Sequence, residues 1–409
     1  LIGGDGNDTF LLSTGGDLSG FDYFDGGTGS NKILGGWSYD ILRGTSNLDN
    51  LKNIQSLDGG GNWAYNAILG TAGNDVFDFS GRTVRNFFVD TGAGNDIITG
   101  TSGVDYLSGG AGNDVLNGGG GNDVFLLTTG GDLSGFDTYN GGSGVNGIVG
   151  GWSYDVLHVN DQLANLKNIQ VLDGGDASWA YNTVLATDAS ETLNFSRISL
   201  RNFSIDGAGG NDAITGSNGA DYITGGAGND IVDGAAGADL LWGGAGHEMF
   251  VGGADNDEIY TGSDANLIAF NVGDGQDVVH AASGTGNALS LGQLASYGEL
   301  AFSKVGNDLV LSVGADDGVT LKDWYGATGN RNLVTLQVLT ESMTDYAPGS
   351  SDVLRDQRVE RFDFGTLVSG FDQALAANPA LSSWSLTNSL LDAHLSGSNS
   401  AALGGDLAY

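Results

Sequence analysis

The chain of 409 residues contains no cysteine and only two prolines. The absence of cysteine excludes a disulfide framework and any metal site built on thiolates. It is compatible with an extracellular protein that crosses a cell envelope unfolded. With so few prolines, the 73 glycines are expected to serve regular turns and not general disorder.

Basic residues are also scarce, since 14 Lys and Arg stand against 50 Asp and Glu, for a net charge of -36. This charge excludes nucleic acids and anionic membrane surfaces as partners. No stretch of eighteen or more apolar residues occurs, so the sequence predicts no membrane span. Without a bound cation the chain is expected to repel itself.

Catalytic motifs are missing as well. The four histidines are scattered, and there is no G-x-S-x-G elbow, no phosphate-binding loop and no EF-hand loop. Paired carboxylates for glycoside hydrolysis are an alternative, but strictly periodic carboxylates are better explained as ligands repeated for a repeated ion. The sequence therefore predicts that the chain is not an enzyme.

Residues 207–260 are six consecutive nine-residue units, each a six-residue turn followed by a three-residue strand. An acidic residue closes each turn, and an apolar residue follows two places later. Glycines at the first, second and fourth turn positions are expected to supply positive φ angles and close backbone approach. If two units form one coil of a parallel β-solenoid, residues eighteen apart stack about 4.8 Å apart. The predicted fold is therefore an all-β, parallel β-solenoid or β-roll.

Stacked carboxylates and turn carbonyls, without His or Cys, favour a hard cation with six to eight oxygen ligands, which is Ca²⁺. Ions are expected between residues 96 and 114, 105 and 123, 212 and 230, 221 and 239, 230 and 248, and 239 and 257. The predicted acidic ligands are Asp8, Asp75, Asp96, Asp105, Asp114, Asp123, Asp212, Asp221, Asp230, Asp239, Glu248 and Asp257. The accompanying turn glycines are Gly94, Gly103, Gly109, Gly112, Gly118, Gly210, Gly219, Gly225, Gly228 and Gly237. Turns closed by Asn31, Asn66, Asn146 or Asn182 lack the charge and are expected to bind weakly or not at all.

The units GGDGNDTFL at 3–11 and GGAGNDVLN and GGGGNDVFL at 109–126 resemble the calcium-binding repeat of the repeats-in-toxin (RTX) family. This resemblance implies several bound calcium ions, an extracellular or cell-surface location, and export by a type I secretion machinery. From residue 266 the period lapses, and GVTLKDWY resembles the haemolysin-type calcium-binding-related domain that often follows such repeats. That stretch predicts a β-rich cap, including a hairpin across Gly306 and Asn307.

A large duplication organises the first half, because residues 3–60 align with 118–175 at an offset of 115. Similar repeats are expected upstream of the first copy. The predicted segments are a first solenoid copy (1–117), a second copy with the six-unit block (118–262), a β-rich capping domain (263–365) and a helical C-terminal segment (366–409). Within the last segment, Leu386, Leu390, Leu391 and Leu395 fall on one helical face.

Four aromatic pairs occupy the third and fifth turn positions, where side chains are expected to point out of the solenoid. They are Trp37 with Tyr39, Trp63 with Tyr65, Trp152 with Tyr154, and Trp179 with Tyr181. An exposed aromatic ladder of this kind suits a polysaccharide or a neighbouring copy of the chain. The alternative is that inserted segments fold over the rings as a satellite apolar cluster.

Three functions remain open at this point. The first is a structural calcium-binding solenoid of a secreted or surface-attached protein, such as an adhesin, a stalk or a surface-layer element. The second is the secretion and folding module of an exoenzyme or toxin whose catalytic part lies upstream. The third is a polysaccharide-binding module that uses the outward aromatic pairs.

Overall fold

The computed structural model describes residues 1–12, 20–36, 39–60, 66–127, 135–150, 154–175, 182–280, 286–327 and 331–399. These residues form an all-β, parallel β-solenoid, which confirms the predicted fold class. The chain divides into two compact units, one of Leu1–Leu185 with Ile198–Ser204 and one of Ala186–Arg197 with Ile205–Tyr409. The four segments inferred from the sequence remain a prediction.

The first unit is built from parallel strands that are two or three residues long, because the turns take up most of each nine-residue unit. One sheet contains, in spatial order, Thr9–Leu11, Lys32–Leu34, Ser56–Asp58 and Thr83–Arg85. A second contains Ile41–Arg43, Ala67–Leu69, Phe88–Asp90, Tyr106–Ser108, Val124–Leu126, Gly147–Val149, Val171–Asp173 and Ser199–Arg201. A third contains Val76–Asp78, Ile97–Thr99, Val115–Asn117, Thr138–Asn140 and Leu166–Lys167. Two further pairs are Phe24–Asp25 with Leu51–Lys52 and Val156–His158 with Thr183–Leu185, and Asp161–Leu163 is a 3-10 turn.

Equivalent strands pair in register one coil apart, as the period predicts. Ile98 lies opposite Leu116, eighteen residues later, and Leu116 lies opposite Tyr139 where an inserted segment lengthens the coil. The middle residue of each strand points inward and forms an apolar spine. Fully buried members in this unit include Ile33, Leu42, Leu57, Ile68, Phe77, Ile98, Leu107, Phe125, Ile148, Leu172 and Val184.

Close stacking of the coils explains why the turns require glycine. Gly112 has a φ of 130°, and a Cβ built there would lie 1.9 Å from the carbonyl oxygen of Gly94 in the preceding coil. Any side chain at this position would therefore push the two coils apart. The first turn positions differ from the prediction, because Gly109, Gly118 and Gly225 do not have positive φ angles and serve only close approach.

The second unit continues this architecture and then changes its strand direction. One sheet contains Thr192–Asn194, Ala213–Thr215, Ile231–Asp233, Met249–Val251, Leu267–Asn271, Asn287–Gly292, Leu333–Leu339, Val359–Asp363 and His394–Ser398. The facing sheet contains Ser204–Asp206, Tyr222–Ala227, Leu240–Ala245, Glu258–Tyr260, Gln276–His280, Asp317–Leu321, Asp308–Val313, Leu300–Val305 and Trp384–Ser385. Short 3-10 turns span Tyr297–Glu299, Thr340–Ser342 and Leu386–Asn388.

Antiparallel strands occur in the region that the sequence assigns to a β-rich cap. Leu300–Val305 pairs antiparallel with Asp308–Val313, and Gly306 takes a φ of 62° in the predicted hairpin turn. Antiparallel pairing also joins Leu333–Leu339 to Val359–Asp363. The nonapeptide register therefore ends in this region.

The C-terminal helix lies earlier than the leucine pattern predicts. It spans Phe364–Ala377 and begins at Asp363, whose side chain accepts the Thr366 N–H at 2.7 Å. The leucine-rich stretch contains only a single helical turn, Leu390–Ala393. The prediction of a continuous helix there is wrong, because His394–Ser398 is drawn into a strand against Val359–Asp363. Across the described ranges, no helix is both long and apolar enough to pass through a membrane.

Two adjacent leucines test the importance of the spine. Leu241 is fully buried, whereas Leu240 on the same strand points outward and is half-buried. Leu241→Ala is expected to lower the free energy of unfolding by about 2–5 kcal/mol, because it leaves a cavity in the spine. Leu240→Ala should cost clearly less. Denaturant unfolding of both variants at saturating calcium checks this, and equal losses would contradict the inward register.

Candidate metal centres

The residues that close the turns stack into columns along the solenoid. In each column, the backbone N–H of one member donates to the side-chain oxygen of the equivalent residue one coil later. Asp96 donates to Asp114 at 2.7 Å, and Asp239 donates to Asp257 at 2.8 Å. Four of these columns are Asp75, Asp96, Asp114, Asp137; Asp105, Asp123, Asn146, Gln170; Glu191, Asp212, Asp230; and Asp221, Asp239, Asp257, Asp277. Shorter ones are Asp8, Asn31, Gln55; Asp40, Asn66; Asp155, Asn182; and Glu248, Asn266, Asn287.

This ladder uses one carboxylate oxygen and leaves the other buried. The second oxygens have no hydrogen-bond partner within the protein in Asp8, Asp96, Asp123, Asp212, Asp230, Asp239 and Asp257. Glu248 has two such oxygens, because its longer side chain does not take part in a ladder bond of this kind. A buried carboxylate oxygen without a partner is costly, and a bound cation removes that cost.

Backbone carbonyls approach the same oxygens. A Cβ built on Gly234 would lie 2.3 Å from Asp239 Oδ2 and 2.5 Å from the carbonyl oxygen of Gly252 in the next coil. A Cβ on Gly252 would lie 2.4 Å from Asp257 Oδ2 and 3.1 Å from Asp277 Oδ2. Carboxylate and carbonyl oxygens thus converge where glycine leaves room.

Oxygen-only donors of this kind fit calcium. Within the described ranges, no group of three or more His, Cys, Asp or Glu side chains is arranged to hold a metal ion. Backbone carbonyls must therefore complete the coordination of any ion that the carboxylates hold. Calcium would supply charge neutralisation to these residues when bound.

Burial raises the pKa of these carboxyls far above ordinary values. It raises the pKa to about 6 in Asp123 and Asp212, to about 7 in Glu248 and Asp257, and to about 8 in Asp239 and Asp277. In Asp239 the neighbouring charges of Asp257 and Asp221 also raise the pKa. Without a bound ion, Asp239 and Asp277 therefore hold their protons at neutral pH, and a cation must displace those protons to bind.

The predicted acidic ligands fall into two groups: those that keep a buried oxygen without a partner, and those whose carboxylate is engaged within its own turn. Asp75, Asp105 and Asp221 lie in the columns, but their carboxylates accept hydrogen bonds from Thr71, Thr101 and Ser217 of their own turns. Among the predicted glycines, Gly94, Gly112, Gly210, Gly228 and Gly237 have positive φ angles, whereas Gly103 and Gly219 in the hydroxyl-bearing turns do not.

In the turns closed by asparagine, the side-chain amide donates hydrogen bonds to backbone carbonyl oxygens. Nδ2 of Asn66 donates to the carbonyl oxygen of Gly59 at 3.0 Å, and Nδ2 of Asn182 donates to Gly174 at 2.8 Å. Asn31 and Asn146 donate in the same way to the carbonyls of Asn53 and Asn168. An amide thus occupies carbonyls that a cation would otherwise need, which supports weak binding at these turns.

Sequence reasoning missed three acidic column members. Asp277 closes the turn VGDGQD, whose glycines match the pattern although the spacing from Asp257 is twenty residues. The six-unit block therefore does not end the column at Asp257. Glu191 in ATDASE and Asp137 after an inserted segment also align with the columns. Glu191 and Asp137 lie 21 and 23 residues from their hydrogen-bond partners in the columns, and neither number is a multiple of nine. Only the hydrogen bonds therefore assign these two residues to the columns.

The aromatic pairs are described only in part. Tyr39 and Tyr154 are 62% and 63% exposed, and both have positive φ angles. Trp37, Trp63, Tyr65, Trp152, Trp179 and Tyr181 lie outside the described residues.

A different aromatic stack lies on the second unit. The rings of Trp242 and Tyr260 are parallel at 4.0 Å, and those of Tyr260 and His280 are parallel at 4.2 Å. Each ring covers a face of its neighbour, so this stack reinforces the sheet and offers few open faces to a sugar.

Comparison with known proteins identifies the repeats. The model of the RTX calcium-binding nonapeptide repeat matches four times, at residues 18–51, 90–125, 206–241 and 242–279. The curated proteins contain no match. Among solved structures, the extracellular lipase LipA from Serratia marcescens aligns at 18% identity and a TM-score of 0.15. That alignment covers 66% of this chain and 43% of the lipase, so the chain spans less than half of the lipase's length.

Calcium affinity is expected to fall as the pH falls. The raised pKa values mean that the ion-free fold is most stable below about pH 4 and loses stability as the pH rises toward about 8. Calcium must displace those protons, so lowering the pH from about 8 to about 6 should weaken binding about tenfold at a site whose carboxyl has a pKa near 7. Calcium titrations across this range check it, and a constant affinity would contradict it.

Asp277 is expected to belong to the calcium-binding machinery. Asp277→Asn keeps an oxygen for the Asp257 N–H but removes the charge beside Gly252, so it should lower the affinity or the number of bound ions. Asp316→Asn, which removes an exposed carboxylate in the same unit, is the matched control. Titration calorimetry of both variants decides, and identical isotherms would exclude Asp277.

Proposed function

Since the chain carries RTX calcium-binding nonapeptide repeats, we propose that it is a calcium-gated structural solenoid of a secreted or cell-surface protein. The buried carboxylate oxygens that lack partners in the turns carry this proposal. They make the folded chain depend on a cation that is abundant outside cells and scarce in the cytoplasm. Export through a type I secretion machinery in a loose state, followed by folding outside, is consistent with that dependence.

The free energy of calcium binding is large enough to control whether the chain folds. If each ion binds with a Kd of about 10⁻⁴ to 10⁻³ M, calcium tenfold above Kd stabilises the fold by about 1.4 kcal/mol per site. Six such sites would contribute about 8 kcal/mol, which is comparable to the stability of a whole domain. Without calcium, the repulsion among the carboxylates of a chain with a net charge of -36 opposes folding.

A purely structural role is favoured over an enzymatic one. The turn carboxylates are engaged in a periodic ladder, and this periodicity suits repeated ions better than a single reaction centre. Within this role, an adhesin, stalk or surface-layer element is our first proposal. The folding module of an exoenzyme or toxin is the second, and the full-length gene distinguishes them by the presence of a catalytic motif upstream.

Polysaccharide binding is a weaker proposal. The exposure of Tyr39 and Tyr154 favours it, since outward aromatic rings can lie against the apolar faces of sugars. The same rings are suited to contact with a neighbouring copy of the chain. If a soluble quencher lowers the tryptophan fluorescence and an added polysaccharide protects against this quenching, the result would support sugar binding.

Folding is expected to require calcium. Circular dichroism of the intact chain with excess chelator should show loss of the β signal and a much lower melting temperature, and added calcium should restore both. Magnesium at the same concentration is the control, because its smaller octahedral shell suits these open turns poorly. An unchanged β signal and melting temperature after calcium removal would contradict the proposal.

A further inference from the structure

Four of the described turns that end in an acidic residue carry a hydroxyl at the second position, and the hydroxyl closes the turn from within. They lie at residues 70–75, 100–105, 186–191 and 216–221. In the last of these, Ser217 N donates to Asp221 Oδ2 at 2.6 Å, and Ser217 Oγ donates to Asp221 Oδ1 at 3.1 Å. The Ser217 hydroxyl also accepts the Gly219 N–H at 3.1 Å. Both carboxylate oxygens of Asp221 therefore have partners inside the turn.

The other hydroxyl turns repeat this network. Thr101 N donates to Asp105 Oδ2 at 2.6 Å, and the Thr101 hydroxyl donates to the same oxygen at 3.0 Å. Thr71 N and its hydroxyl donate to Asp75 at 2.7 and 3.0 Å. At 186–191 the Thr187 hydroxyl donates to Oε1 of Glu191, while the longer side chain leaves Oε2 without a partner.

Two turns with alanine at the second position direct the same backbone N–H elsewhere. Ala235 and Ala208 occupy the second position with φ angles of 73° and 62°, and their N–H groups donate to Asp233 and Asp206 at the ends of the preceding strands. The carboxylates that close these turns, Asp239 and Asp212, keep a buried oxygen without a partner. In these turns the missing hydroxyl and the redirected N–H together leave the carboxylate without its second partner.

Each hydroxyl turn is the first member of its own column of ladder bonds. Asp75, Asp105, Glu191 and Asp221 head these columns, and the members that follow do not carry this network. The columns that start at Asp8 and Glu248 begin instead with a glycine turn whose carboxylate keeps an oxygen without a partner. Thr101 and Ser217 occupy the same position in two similar units, GTSGVDYLS at 100–108 and GSNGADYIT at 216–224, so the hydroxyl is retained although the residue type changes.

We propose that Thr71, Thr101 and Ser217 make the first turn of their columns independent of calcium, and that the Thr187 turn is a partial version of the same device. The hydroxyl and the backbone N–H provide what a cation provides in the glycine turns. The columns headed by Asp75, Asp105 and Asp221 therefore start from a turn that closes without an ion, and in these columns calcium is needed only from the second member onward. This inference rests on the proposed calcium-dependent function.

The space for an ion exists at the hydroxyl turn but is closed by the hydroxyl network. A Cβ on Gly216 would lie 2.6 Å from the carbonyl oxygen of Gly234 and 2.7 Å from Asp221 Oδ2. The corresponding oxygens approach Gly234 in the next turn of the same column. Removing the hydroxyl should therefore expose an oxygen cradle like those of the glycine turns.

Ser217→Gly tests this, because it converts GSNGAD into GGNGAD with glycine at the first, second and fourth positions. The full chain with this change is expected to bind one calcium more than the original, counted by equilibrium dialysis at saturating calcium. Ser217→Thr, which keeps the hydroxyl, is expected to leave the count unchanged. Thr101→Gly and Thr101→Ser are the matching pair in the first unit, and they decide the question if Ser217→Gly does not fold.

The outcomes separate the two proposals. An original chain that binds no calcium would overturn the proposed function. An original chain that binds calcium, together with an unchanged count in a folded glycine variant, would overturn the inference about the hydroxyl turns and leave the function standing. A merely structural role for the hydroxyl predicts lower stability but no additional ion.

Discussion

The stacking of carboxylates at the interval of one coil is the constraint from which the other features follow. The parallel register places Asp221, Asp239 and Asp257 one above another inside the turns, where burial raises the pKa of Asp239 and Asp257 to about 8 and about 7. In Asp239 and Asp257 the ladder of backbone N–H donors satisfies one carboxylate oxygen and leaves the other without a partner. The fold therefore contains an electrostatic cost that its own side chains do not meet, and an oxygen-seeking cation is the natural remedy. Calcium binding is thus expected to stabilise the fold directly.

The chain meets that cost in three chemically distinct ways. Glycine turns leave an oxygen to the cation, asparagine turns replace the charge with an amide that donates to a carbonyl, and hydroxyl turns close the carboxylate with Thr or Ser. Coils of all three kinds share the same apolar spine, so their strand register does not depend on the kind of turn. What differs between coils is the number of ions that each requires, which lets a long solenoid confine its calcium dependence to particular segments.

The period of nine and the apolar position within it predict much of this structure. They place Ile98 opposite Leu116 and Ile223 opposite Leu241, and they identify the columns. They do not identify Asp277, because an irregular coil shifts the spacing to twenty residues and only the hydrogen bond to Asp257 reveals its register. Nor do they separate Asp221 from Asp239, because the difference depends on the direction of one backbone N–H, which the φ angle at the second turn position controls. The C-terminal leucines mislead for another reason: pairing of His394–Ser398 with Val359–Asp363 overrides their helical spacing.

The change of strand direction in the second unit follows from the physics of an open solenoid. A parallel sheet of short strands ends in unpaired backbone groups, which would pair with another chain. Here the final parallel strands, Asp317–Leu321 and Leu333–Leu339, receive antiparallel partners that no longer obey the nonapeptide period. The antiparallel part of this sheet also buries Glu360, whose carboxylate lies 2.8 Å from Nε2 of His394 and accepts the Gln357 N–H at 3.2 Å. Among the residues that the structure describes, no stacked carboxylate continues the columns beyond this edge. Growth of the solenoid and accumulation of ions therefore stop at the same place, because both depend on the parallel register.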